Sequence, residues 1–134
     1  MSKDASGSFD VTLTPQPAQD EVIGAILGRF AIDKQFHGEL DATSRGEMLA
    51  AGTEVKGSAA YVAIERVTGT LQGHSGSFVL QHGGTMTRGD GKLTVTVVPD
   101  SGTGQLKGLA GSMTIDIVDG QHLYQFQYTL DALS

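Results

Sequence analysis

Few side chains in this 134-residue chain can do chemistry, because it contains no cysteine and no tryptophan. His82 follows Phe78 and Leu80 at alternate positions, just before Gly83-Gly84, so it shares the apolar side of that run. An imidazole kept from water beside a cavity can act as acid or base, or donate to a ligand oxygen. The plainer role is a core histidine bonded to a backbone carbonyl. Tyr124 and Tyr128 fall on the apolar side of the last alternating run. A phenol there can hydrogen-bond a ligand while packing its ring, or serve as an ordinary core or rim residue. Glu65 ends the series Ala59–Tyr61–Ala63. If that side faces inward, Glu65 and Tyr61 form a carboxylate and phenol beside an apolar pocket, and desolvation raises the Glu65 pKa. If the other side faces inward, Arg66 takes that place and Glu65 meets solvent. Arg88 and His122 sit beside expected hairpin tips, where either can meet the carboxylate of an amphipathic ligand or remain solvated.

Other chemistries find no footing. His37 and Glu39 share a strand face at a spacing two metal ligands can use, but that face is polar and no third ligand is evident, so no metal site is expected. The H-x-E string of zinc deaminases needs a P-C-x-x-C partner, which a chain without cysteine cannot supply. Gly102-Thr103-Gly104 is not a dinucleotide fingerprint, and there is no G-x-S-x-G elbow or phosphate-binding loop. No cofactor is expected. A net charge of -6 without a basic cluster disfavours nucleic acid. No apolar run approaches the roughly 18 residues of a membrane helix, and MSKDASGSF lacks the apolar stretch of a signal peptide. The expected location is the cytoplasm, which the lack of cysteine suits.

The positioning elements are strands. Short Thr- and Val-rich runs alternate between apolar and polar residues, and Gly or Asp-Gly punctuates them. Asp-Gly favours two-residue type I′ hairpins, so turns are expected at Asp90-Gly91 and Asp119-Gly120. The second turn sets Ile117 opposite His122, Ile115 opposite Tyr124 and Met113 opposite Phe126, one mostly apolar face. The first pairs Met86 with Val95 and Arg88 with Leu93. Phe9, Val11 and Leu13 form the apolar side of the first strand. Phe36 and Leu40 do so in the next, where Lys34 fits that side awkwardly. Ser58–Val67 is apolar on both sides, which calls for an outer cover, either Pro15–Phe30 or a second subunit. Glu21–Leu27 can form a short helix.

A repeat ties the strands together. Residues 69–78 (GTLQGHSGSF) and 104–113 (GQLKGLAGSM) share the frame G-x-L-x-G-x-x-G-S, and a looser copy starts at Gly38. Each copy is expected to end a strand, turn a corner on glycine and start a new strand at Phe78, Met113 or Met48. Such units, without helices between them, close into an antiparallel barrel.

Three stretches together resemble a family of small bacterial proteins of unknown function over nearly the whole chain. They are D33-K-Q-F-H-G-E-L40 with G46-E-M48, A60-Y-V-A-I-E65 with G76-S-F-V-L-Q-H82, and S101-G-T-G-Q-L-K-G-L-A-G111 with H122-L-Y-Q-F-Q-Y128. The stretch Ser101–Gly111 is also similar to the glycine-rich hairpin of allene oxide cyclases and related dirigent-type barrels. The resemblance implies an eight-stranded antiparallel barrel of the allene-oxide-cyclase-like, calycin type. It carries no activity across, since no pocket residue of those enzymes aligns here.

The expected fold is therefore all-β, one eight-stranded antiparallel barrel over residues 1–134. The expected function is non-catalytic binding of a small apolar or amphipathic ligand in the lumen, with His82, Tyr124, Tyr128, Glu65, Tyr61, Arg88 and His122 as candidate contacts. The alternatives are an isomerase or cyclase acting in the lumen, and a homo-oligomer formed through the Ser58–Val67 strand.

Overall fold

The structure, a computed structural model, describes residues 2–17 and 27–130. Alternation dictates its elements. In β1 (Lys3–Pro15), β2 (Leu27–Gly38), β3 (Leu40–Gly52) and β4 (Ala59–Leu71), every second residue turns inward. The same holds in β5 (His74–Thr87), β6 (Asp90–Val97), β7 (Ala110–Val118) and β8 (Gln121–Thr129). Each strand pairs antiparallel with the next, and β8 returns to β1, closing an eight-stranded barrel as expected. The suggested helix over Glu21–Leu27 lies outside the described residues up to 26, and Leu27 begins β2. Among the described residues no helix is long and apolar enough to cross a membrane.

One end of the barrel is packed shut. Phe78, Phe126 and Tyr128 stack with ring centroids 5.9 and 5.2 Å apart. Leu40, Leu71 and Leu106, the leucines of the three repeat copies, are all buried there. Two copies are tight hairpin corners, at Glu39 and at Gln72-Gly73. The third is wider. β6 stops at Val97, and the loop that follows takes over the edge of β5 before a single 3-10 turn at Gly104–Leu106. The Thr103 N–H donates to the Ser77 carbonyl (2.8 Å), while Thr103 Oγ1 and Ser101 Oγ accept the N–H groups of Ser77 and Val79. β6 and β7 themselves share a single paired position, Thr96 opposite Ser112. The strands that follow the corners start at Leu40, His74 and Ala110, earlier than the Met48, Phe78 and Met113 the repeat suggested, because the hairpins pair right up to their turns.

The β7–β8 register is the expected one, with Ile117 opposite His122 and Met113 opposite Phe126. The β5–β6 register is not. Met86 pairs with Gly91 and Gly84 with Leu93, so the two-residue turn is Arg88-Gly89. These two residues take the positive φ values, 48° and 91°, that a type I′ turn needs. The β3–β4 connection holds them: the Gly89 N–H donates to the Gly57 carbonyl (3.0 Å) and the Arg88 N–H to Ser58 Oγ (3.0 Å). The turn moves by two residues, an even step, so every side chain keeps its face. On β4, Ala63, Glu65 and Val67 face inward. Val62 and Ile64 are 58% and 52% exposed outside, with no cover among the described residues.

Close backbone approach makes Gly102 irreplaceable: a Cβ there would stand 1.9 Å from the Leu106 carbonyl oxygen. Gly73 faces open space at φ 88°. Gly102→Ala should therefore cost more than ~2 kcal/mol in urea unfolding, while Gly73→Ala should cost only about 1 kcal/mol of backbone strain. Equal losses would contradict this account of the corner.

Candidate functional site

Three charged or titratable side chains meet at mid-height in the lumen. Lys34 enters from β2, Glu65 from β4 and His82 from β5. Lys34 Nζ lies 2.9 Å from Glu65 Oε2, and His82 Nε2 lies 3.5 Å from the same oxygen. Small inward residues make the meeting possible. β3, between β2 and β4, presents Ser44 and Gly46, and a Cβ on Gly46 would stand 2.8 Å from that of Glu65. The Lys34 ammonium also lies 4.7 and 5.7 Å from the ring centres of Phe9 and Phe36, a cation–π environment.

Glu65 is fully buried and His82 is 5% exposed. Both approaches to Oε2 are close polar contacts. Both Glu65 oxygens and His82 Nε2 lack a hydrogen-bond partner. Desolvation pushes the Glu65 pKa up, but the adjacent imidazole and ammonium outweigh it and hold the carboxyl below 4.5. The upward shift expected for a carboxylate beside an apolar pocket is thus reversed. His82 and then Lys34 bring the carboxyl down, and the inward phase of Lys34 in an otherwise apolar series was the available signal for the second.

Above this trio, toward the Arg88-Gly89 turn, the lumen is apolar. Tyr61 lies on the same face of β4 as Glu65, four residues nearer the open end, with Ala63 the one inward residue between. Its ring occupies the space that Gly84 leaves, where a Cβ would come within 2.4 Å of Tyr61 Cε1. Burial and the Glu65 charge raise the Tyr61 pKa, so the phenol keeps its proton. Met48, Ala50, Tyr61, Met86 and Leu93 bound a recess of about 430 Å³, in which Met86 and Leu93 are 47% and 40% exposed.

The remaining candidates are elsewhere. Tyr124 and Tyr128 are buried and inward, but near the shut end. The Tyr124 hydroxyl donates to the His37 carbonyl (2.8 Å) and accepts the Leu40 N–H (2.9 Å), and the Tyr128 hydroxyl donates to Gln72 Oε1. These bonds fasten β8 to the corners. His122 is half-buried with its ring 5.0 Å from that of Phe9. Arg88 is exposed within the turn itself. His37 pairs with Asp10 (3.0 Å), while Glu39 accepts from the Ser6 N–H and Gln72. Among the described residues no three His, Asp or Glu side chains gather as metal ligands would.

Because the Glu65 pKa is lowered in the fold, its ionisation adds stability above pH 4.5 that is lost as pH falls through the folded value. Glu65→Gln removes that contribution and strands the Lys34 charge, so it should cost ~3 kcal/mol at pH 7. The gap to the parent should close below pH 4.5. Glu39, whose carboxyl is also held low by the Ser6 N–H and Gln72, is common to both proteins and cancels. Urea melts from pH 3 to 8 check this, and a gap that stays constant would contradict the pairing.

Residues 5–128 match the family described as a protein of unknown function, DUF3224. A crystal structure of a protein with unknown function from that family, from Shewanella oneidensis MR-1, is 53% identical to this chain. The similarity covers 99% of this chain and 100% of that one, with a TM-score of 0.93. No curated protein matches. A match over almost the full length, with this identity and the same barrel, places the chain in the DUF3224 family.

Proposed function

We propose that the barrel binds a small amphipathic molecule at its open end. The apolar part lies against Met48, Tyr61, Met86 and Leu93, and the polar end points down toward Lys34, Glu65 and His82. The observation that carries this reading is the apolar recess standing directly above an ionic trio. About 430 Å³ is within the range of small-molecule pockets. Each methylene buried there is worth ~0.8 kcal/mol, and the few polar groups beneath select the orientation.

The isomerase or cyclase reading is less well supported. A general base works best with a pKa near the operating pH, and Glu65 is held low by the adjacent His82 imidazole and Lys34 ammonium. Pairing of two copies through the outer face of β4 has its own support, since Val62 and Ile64 stand exposed beside Leu49. Val62→Glu should then shift the sedimentation profile from paired to single chains.

The neutral fluorophore N-phenyl-1-naphthylamine tests the binding reading. Its emission should rise saturably with one site per chain, and Met86→Glu should weaken it on the order of tenfold by placing a charge in the recess. Met86 is half exposed, so the variant should fold. A non-saturable signal, or one indifferent to Met86→Glu, would contradict the proposal.

A further inference from the structure

We infer that the polar end of the bound molecule is a hydroxyl group, read by Glu65 Oε1 and His82 Nε2. This rests on the upper lumen being the binding site and adds the class of ligand. Lys34 and His82 both approach Glu65 Oε2, and Oε1 is left without a donor although the side chain is fully buried. An ionised carboxylate only accepts, so whatever meets Oε1 must carry an O–H or N–H. His82 Nε2 faces Glu65 Oε2 across 3.5 Å, which assigns a proton to that nitrogen but is too long for a good hydrogen bond, so a nearer acceptor would complete it. A hydroxyl is both donor and acceptor and satisfies the two atoms at once.

Other head groups fit worse. Lys34 and Glu65 cancel each other's charge, so an added carboxylate brings an unpaired negative charge beside Glu65. An added ammonium brings a positive one beside Lys34. An ether accepts from His82 but leaves Oε1 bare, at the full penalty of an unpaired buried acceptor. On β4 the one inward side chain between Tyr61 and Glu65 is the methyl of Ala63. Tyr61, still protonated, adds a phenolic donor near the entrance.

The test ranks three eight-carbon probes by displacement of N-phenyl-1-naphthylamine: 1-octanol, its isomer 1-methoxyheptane, and octanoate. In the native protein 1-octanol should displace the fluorophore at a concentration on the order of tenfold or more below either of the others. In Lys34→Met/Glu65→Leu, checked for folding by circular dichroism, the fluorophore should still bind and the preference for octanol over the ether should vanish. Octanoate or the ether matching or beating octanol on the native protein would overturn the hydroxyl reading while leaving the lumen a binding site. A native protein that does not bind the fluorophore would overturn both. The native ranking stands by itself if the double variant fails to fold.

Discussion

Lys34 and Glu65 place one full charge of each sign inside a barrel whose other inward residues are mostly apolar, and the lumen is arranged around that fact. Removing two such charges from water costs several kcal/mol per ion, which a single contact seldom recovers in full. The fold supplies the remainder from several directions. A 2.9 Å approach, a second nitrogen from His82 and the faces of Phe9 and Phe36 all act on the same few atoms. Gly46 and Ala63 keep the surrounding wall thin enough for the side chains to meet. Even so, Glu65 Oε1 and His82 Nε2 stay unpaired. Buried groups left in that state weaken a fold, and their presence makes sense where a ligand completes them.

The barrel divides its work between its ends. At the shut end, stacked aromatics, the three repeat leucines and the hydroxyls of Tyr124 and Tyr128 leave no polar atom of those tyrosines to recognise anything else. The Ser101–Gly111 stretch belongs to this end as well. Its glycines let the loop pass close to Leu106 and β5, and its hydroxyls replace the ladder that β6 is too short to provide. This rigid half supports an open half whose inward residues, Tyr61, Met86 and Leu93, are only partly covered. A site carried on strands and braced by a packed base is held more precisely than one on loops.

Much of this was legible in the residues. Period-2 alternation fixed which residues share a face, and the Asp119-Gly120 turn fixed the β7–β8 register. The β5–β6 hairpin differs because Asp90-Gly91 carries the stronger local turn signal, whereas Gly57 and Ser58, far away in sequence, bind Arg88-Gly89 into the turn instead. The faces survived because the error was even. Tyr124 and Tyr128 were correctly placed inward, but alternation says nothing of height along the barrel, and height separates a structural phenol from one in a pocket. Glu65 was ambiguous since β4 is apolar on both sides, and the direction of its pKa depends on His82 and Lys34, which three different strands bring together with it. A lysine in phase with an apolar series is a signal in itself: it requires an anion, and Glu65 was the unassigned one.

The central claim is that the Lys34–Glu65 pair is kept for recognition and not for folding. The stability of Lys34→Met/Glu65→Leu in urea at pH 7 tests it most directly, because this variant replaces both charges with apolar groups and strands neither. The account predicts a protein as stable as the parent, or more stable by up to ~4 kcal/mol, as when other buried ion pairs become apolar. A double variant several kcal/mol less stable than its parent would contradict it, and would make the trio part of what holds the barrel together.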